Sequence, residues 1–156
     1  MTQKSNDLKS AVFLDQKEIS YQKLELNQAP HTAQDVQDAC QCQLEEVLKT
    51  LLFIGEKSAV IAIVGGSQRV NIEKLCRATG QESLRMAKPD EVLSLTSYKV
   101  GTVSPFGITG KVKKVMDTKV TELSRVITGS GKGTILFEMT IDALKSAWDG
   151  EFAEIT

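Results

Sequence analysis

Apolar residues recur along this chain with two different periods, and the changes of period mark out its elements. Over residues 7–16, Leu8, Ala11 and Val12 return at helical spacing, which predicts a helix with one apolar side. Residues 19–26 alternate loosely between apolar and polar, as a strand does. Ala29-Pro30-His31 reads as a loop. Thr32-Ala33-Gln34-Asp35 then forms a capping box with Asp in the Glu position, predicting a short helix after it; a second is expected over 43–47. Residues 49–54 and 58–64 are apolar runs joined by Gly55-Glu56-Lys57, the pattern of paired strands around a turn, and Gly65-Gly66-Ser67 ends the second run. Asn71 suits the N-cap of a helix through Ala78 with Gly80 as its stop. Lys88-Pro89-Asp90 opens another helix to about Leu95, with proline in the first turn. Residues 112–116, 125–128 and 135–139 are further strands, and Thr140-Ile141-Asp142 opens a last helix through Trp148. Strands and helices intermingle without regular βαβ alternation. The expectation is one α+β domain over 1–156, with a central mixed or antiparallel sheet flanked by short helices.

Composition narrows the class. With 156 residues, 41% hydrophobic and 25% charged, the chain matches an ordinary globular domain able to bury a sizeable core. Its longest apolar runs are too short to span a bilayer, and residues 1–7 lack the pattern of a secretory signal, so no membrane partner and a cytoplasmic address are expected. Three cysteines, Cys40, Cys42 and Cys76, make neither a disulfide framework nor a zinc site, since no second Cys/His pair stands near Cys40-Gln41-Cys42. The net charge of −1 hides an uneven distribution. Residues 55–132 carry 13 Lys/Arg against 7 Asp/Glu, while the flanks are acidic. That middle stretch offers either a basic face for an anionic partner or a scatter of solvated charge.

Two motifs point away from familiar chemistries. Gly129-Ser130-Gly131-Lys132-Gly133-Thr134 ends like a phosphate-binding P-loop, but Val126 stands where the first glycine belongs, and a strand rather than a helix follows. A glycine-rich hairpin facing a ligand with its backbone is still compatible with the segment. His31 is the only histidine, lies beside Pro30 with no nucleophile next to it, and reads as structural or solvent-facing. No H-E-x-x-H or H-x-E motif occurs. A hydrolase built on this chain is expected to work without histidine, metal or cofactor.

Three stretches then fall in a telling order: residues 46–53 with Lys49-Thr50 opening a strand, Gly101-Thr102-Val103-Ser104-Pro105-Phe106-Gly107, and Thr128-Gly129-Ser130-Gly131-Lys132-Gly133. They resemble, respectively, the lysine-threonine signature, the G-x-x-x-P loop and the late glycine-rich turn of the YbaK/EbsC family, which is related to the editing domain of some prolyl-tRNA synthetases. Weaker matches at 32–39 and 66–75 extend the likeness over about residues 8–148. The resemblance implies a barrel-like version of the α+β sheet and a trans-editing deacylase that removes a wrong amino acid from tRNA. It implies catalytic roles for Lys49, Gly101 and Pro105. Ser104, Thr128, Gly129, Ser130, Gly131 and Tyr21 would contact the substrate. The basic middle stretch adds Lys111, Lys113 and Lys114, with Lys119, as candidate contacts to the tRNA phosphates. The partners implied are the acceptor end of aminoacyl-tRNA and an aminoacyl-tRNA synthetase.

Each of these residues also has a plainer reading. Lys49 alone would be an edge cation, Gly101 and Pro105 would build a tight turn, and the lysines would form a solvated face. The likeness departs at Ser97, where many relatives have glycine, and at Thr128, where some have serine or another small residue. Residues 100–107 look closer to the broad trans-editing subgroups, which points to serine, threonine or alanine esters, with cysteine also open. The alternative is a non-catalytic module of the same fold that binds aminoacyl-tRNA or a nucleotide-like ligand.

Overall fold

The computed structural model describes residues 8–156. Helix α1 spans Lys9–Gln16, so Asp7, the expected first residue of that helix, lies outside the described residues. Strand β1 (Gln22–Glu25) is shorter than the alternating stretch, and helix α2 (Ala33–Cys40) follows. Its capping box is complete: Thr32 Oγ1 accepts from the Asp35 N–H at 3.1 Å, and the Asp35 carboxylate accepts from the Thr32 N–H at 3.3 Å. The expected helix at 43–47 tightens to a single 3-10 turn, Leu44–Glu46.

The paired runs form strands β2 (Leu48–Gly55) and β3 (Ala59–Gly65), antiparallel, with Leu48 opposite Gly65 and Ile54 opposite Ala59. Strand β3 is buried on both faces, which is why its sequence is an uninterrupted apolar run. Ile61 and Ile63 join Leu48, Leu52, Phe106 and Phe137 in the main core. Val60, Ala62 and Val64 join Phe53, Leu75 and Ile155 on the other side. Truncating Ile61 or Ile63 to Ala would cost about 2–5 kcal/mol, the usual result of hollowing such a site.

Helix α3 (Ile72–Thr79) begins at the Asn71 cap and stops at Gly80, whose φ of 71° is the left-handed C-cap conformation. Strand β4 (Leu84–Met86) and helix α4 (Pro89–Thr96) lead into a long loop, then strand β5 (Val112–Asp117) and a 3-10 turn, Thr118–Glu122. Strands β6 (Arg125–Gly129) and β7 (Ile135–Thr140), helix α5 (Ile141–Ala147, capped by Thr140) and strand β8 (Glu151–Ala153) complete the chain.

The α+β class holds, but the single barrel-like sheet does not. The strands form two sheets, a mixed one ordered β4-β2-β3-β5-β8 and an antiparallel one ordered β1-β7-β6. They share the main core and are tied at one corner by a single parallel bridge, Val47 to Ile127. The chain leaves the larger sheet at Asp117 and enters the smaller at Arg125 through the 3-10 turn, so no ladder runs continuously around the core. Strands β4 and β8 went unpredicted because three residues are too few to display a period. Among the described residues no helix is long and apolar enough to cross a membrane.

Candidate functional site

A cavity of about 700 Å³ opens between residues 48–52 of β2, the segment leading into α2, the loop at 100–103 and the end of β6. Its deeper walls are apolar, with Val36, Val47, Ile127 and Leu136 packed together as a separate small core. Its charged lining is one-sided. Lys49 and Lys132 border the space with His31, and among the described residues no Asp or Glu does.

Lys49 lies on β2 opposite Val64. Its Nζ donates to the Gln68 carbonyl at 2.5 Å, leaving two of the three ammonium N–H groups for other partners. Partial burial, and then the nearby charge of Arg69, lower its pKa from the ordinary lysine value. Thr50 alternates to the other face, between the buried Leu48 and Leu52. Its hydroxyl is buried and has no hydrogen-bond partner, the one such side-chain atom among the described residues.

The loop after α4 is held by its own chemistry. Ser97 ends the helix at φ 63°, and the Thr96 hydroxyl accepts from the Tyr98 N–H at 3.0 Å. The Tyr98 hydroxyl donates to the Phe106 carbonyl at 2.6 Å, and burial pushes its pKa up to about 12. Gly101 sits at φ 84° in the turn closed by the Thr102 N–H on the Lys99 carbonyl, a conformation that favours glycine. A Cβ there would meet nothing within 4 Å, so the turn leaves this edge of the cavity open.

The glycine-rich turn supports this loop rather than facing the cavity with its amides. The Gly131 N–H donates to the Thr102 carbonyl at 2.8 Å, and a Cβ on Gly131 would lie 2.5 Å from the Tyr98 ring. Gly129 lets β6 abut the loop, since a Cβ there would lie 2.7 Å from the Val103 carbonyl oxygen. Gly131 is therefore not a free donor toward a ligand.

Of the residues expected at the site, the fold gathers Lys49, Gly101, Thr128 and Gly129 around the cavity. Ser104 and Pro105 are buried behind it, the Ser104 hydroxyl accepting from the Phe106 N–H at 3.2 Å. Ser130 is fully buried, its hydroxyl donating to the Ile135 carbonyl at 2.6 Å. Tyr21 packs against Phe137 with the rings tilted by 51° and donates to Asp15 at 2.9 Å, away from the cavity lining.

The expected phosphate lysines lie elsewhere too. Lys113 and Lys114 border a second depression between β5 and β8 together with Asp149 and Glu151, and Lys114 pairs with Asp149 at 3.0 Å. Lys119 donates to the Thr156 hydroxyl at 2.8 Å, and Lys111 is exposed outside the main cavity lining. Conversely, Thr50, Lys132 and His31 line the cavity although none was expected at the site, His31 having the reading of a structural or solvent-facing residue. Thr50 and Lys132 stood inside the stretches that carry the resemblance, but nothing in the sequence distinguishes a lining side chain from its neighbours.

Residues 28–147, which contain every lining residue, match the family model of the aminoacyl-tRNA editing domain. EbsC of Enterococcus faecalis (strain ATCC 700802 / V583), provisionally named a Cys-tRNA(Pro)/Cys-tRNA(Cys) deacylase, is 26% identical over 99% of this chain and 94% of its own. A proline–tRNA ligase of Kosmotoga olearia (strain ATCC BAA-1733 / DSM 21960 / TBF 19.5.1) is 34% identical over 70% of this chain, which spans only 19% of that ligase. A crystal structure provisionally described as a trans-editing enzyme for prolyl tRNA synthetase superposes with a TM-score of 0.82 at 25% identity, covering 99% of this chain and 94% of that one. The extent of the family match and its coincidence with the cavity make this chain a member of the aminoacyl-tRNA editing domain family, with the YbaK/EbsC proteins as relatives.

Proposed function

We propose that this chain is a trans-acting deacylase that hydrolyses the ester between a wrong amino acid and the terminal ribose of tRNA. The observation that carries the reading is the composition of the cavity: apolar walls, an anchored ammonium at Lys49 and no carboxylate. Such a lining suits a small acyl group on an anionic polymer and, among the described residues, offers no negative charge that would repel phosphate. A volume of about 700 Å³ exceeds the needs of a small amino acid and has room for part of the terminal nucleoside.

In this reading Lys49 anchors the substrate. One N–H on Gln68 fixes its direction, and the remaining donors meet the oxygen that gains charge as the ester carbonyl is attacked. Gly101 leaves one edge free of a side chain, Gly129 lets β6 close against the loop, Thr128 stands beside the acyl group, and Pro105, Ser104, Ser130 and Gly131 brace the walls from behind. Water attacks the carbonyl carbon, forming the new C–O bond as the bond to the ribose oxygen breaks and a proton passes to that oxygen, which releases the amino acid and the ribose hydroxyl. Where a side-chain hydroxyl or thiol of the substrate attacks first, water opens the lactone or thiolactone to the same amino acid. Positioning and electrostatics supply the rate, and the scheme calls on no metal or cofactor. Serine, threonine and alanine esters are the first substrates proposed, and the name of EbsC adds cysteine. A synthetase distinguishes such side chains poorly, because one methylene is worth only about 1–3 kcal/mol. Work alongside a synthetase, prolyl-tRNA synthetase first, is therefore part of the proposal.

The test is deacylation of tRNAs mischarged with alanine, serine, threonine or cysteine, with Lys49→Ala as control. Release of one or two of these amino acids, reduced about 10²–10³-fold in the variant, is expected. Full activity in Lys49→Ala would end the assignment. Tight binding of aminoacyl-tRNA without release would favour the binding-module alternative.

A further inference from the structure

Helix α1 takes no part in that scheme, and none of its residues lines the cavity. Its side chains nevertheless meet both ends of the 97–107 loop and the glycine-rich turn, the two segments whose contact closes one cavity wall. Lys9 Nζ donates to the Thr96 carbonyl at 2.7 Å and stands 4.5 Å above the centre of the Tyr98 ring. That carbonyl belongs to the last turn of α4, where the helix supplies no donor of its own and a cation suits the dipole. At the far end of the loop the Phe13 and Phe106 rings stack with centroids 5.9 Å apart, and a Cβ on Gly107 would lie 3.1 Å from the Lys9 carbonyl oxygen. On the glycine-rich turn, the hydroxyl of the fully buried Ser10 donates to the Ser130 carbonyl at 2.6 Å.

Packing alone would not select these two polar groups. Ala11 and Leu14 already bury the apolar side of α1 in the main core. Partial burial lowers the Lys9 pKa, the mark of a cost that an aliphatic side chain would avoid. What Lys9 and Ser10 add is direction, since a hydrogen bond fixes its partner where an apolar contact lets it slide. Between their anchor points runs the seam of the wall. The Gly131 N–H donates to the Thr102 carbonyl at 2.8 Å, and Gly129 packs so closely on Val103 that a Cβ would lie 2.7 Å from its carbonyl oxygen. Thr102, Val103 and Gly129 line the cavity next to Thr128. A slip of the loop along the turn therefore changes the width of the space beside Thr128.

We infer that Lys9 and Ser10 are positioning residues that clamp the loop to the glycine-rich turn and so set which amino-acid side chain fits beside Thr128. The inference rests on the deacylase reading for the meaning of that width, while the clamp itself can be measured without any reaction. Neither residue touches the substrate; both act through the wall.

The experiment follows amide hydrogen exchange by NMR in the full chain, for the wild type, Lys9→Met, Lys9→Arg and Ser10→Ala. The Gly131 amide, which holds the seam, should exchange about 10-fold faster in Lys9→Met and Ser10→Ala, while the Ile61 amide in the middle of the larger sheet keeps its rate. Lys9→Arg, which keeps a donor and stacks on an aromatic face, should stay close to the wild type. In deacylation assays Lys9→Met and Ser10→Ala should narrow the kcat/KM ratio between the best and next-best of the mischarged tRNAs about fivefold. A loss of folded protein slows every substrate alike and leaves that ratio where it was. The inference is overturned if Gly131 exchanges at the wild-type rate in both variants, or if Gly131 and Ile61 quicken by the same factor. It is also overturned if Lys9→Arg is as disturbed as Lys9→Met, or if the ratio holds while the rates fall together. If the wild type released no amino acid, the deacylase reading would fall; faster exchange confined to the seam would still support the clamp, and unchanged exchange would overturn it as well.

Discussion

The β5 edge and the main cavity each present lysines, yet the two regions differ in what surrounds them. At the β5 edge Lys114 is paired with Asp149, and Glu151 borders the same depression. At the cavity Lys49 and Lys132 have no carboxylate beside them in the lining. The acidic groups that neutralise the basic middle of the chain come largely from its flanks: Glu154 on Lys74, Asp149 on Lys114, and Glu46 with Glu138 on Arg125. A charge balance taken along the sequence therefore does not locate a basic face, because folding brings the segments together. What distinguishes the cavity is the absence of acids, not an excess of lysines.

The widest separation between the two regions is expected from paired variants. Lys49→Ala should lose about 10²–10³-fold in deacylation, whereas Lys114→Ala should stay within about twofold of the wild type and lose no more than about 1 kcal/mol of stability. Equal losses of activity in both would erase the distinction. A smaller contrast lies in salt dependence. If Lys132 meets a phosphate, Lys132→Ala should shallow the dependence of tRNA affinity on salt by nearly one unit of log–log slope, while Lys114→Ala leaves it unchanged. The reverse result would return the acceptor strand to the β5 edge.

Thr50 sharpens the comparison through stability. Elsewhere buried polar groups are satisfied: Ser104 on Phe106, Ser130 on Ile135, and Asp117 on the Ile155 N–H at 3.1 Å. The Thr50 hydroxyl has no partner, although it stands on a face shared with Leu48 and Leu52. Thr50→Val keeps the shape and removes the orphan, so it should raise unfolding stability by about 1 kcal/mol in denaturant titrations. A loss of stability would mean that the hydroxyl has a partner in solution, with water the first suspect.

Most of the fold was legible because its signals are local. The Thr32 and Asn71 caps, the Gly80 stop and the two-faced apolar run of β3 each state their conformation within a few residues. Of the residues that the family resemblance proposed for the site, Lys49, Gly101, Thr128 and Gly129 border the cavity, and no local conformational signal marks them out. His31 and Lys132 reach one cavity through contacts between distant segments, Ala29 against Gly133, which no local pattern records. The glycine-rich turn misled for a related reason. Its glycines serve close packing against Tyr98 and Val103, and the same residue type would equally serve an open phosphate nest.

The smallest expected effect concerns the anchor of the cavity loop. Ser97 holds φ 63° at the end of α4, where its N–H donates to the Leu93 carbonyl at 2.9 Å. The left-handed conformation burdens a residue with a Cβ by about 1 kcal/mol. The conformation persists because its neighbours demand it: Thr96 bonds the Tyr98 N–H, and Tyr98 in turn holds Phe106 and underlies Gly131. Ser97→Gly should relieve the strain but also free the unfolded chain, which offsets part of the gain. The net expectation is a stabilisation of a few tenths of a kcal/mol up to about 1, seen as a rise in Tm of no more than about 4 °C. Activity should not change, because the loop keeps its path. If Ser97→Gly lowered Tm while slowing deacylation, the strain would be serving the loop rather than merely being tolerated, and the serine would count as part of what sets the cavity apart from the β5 edge.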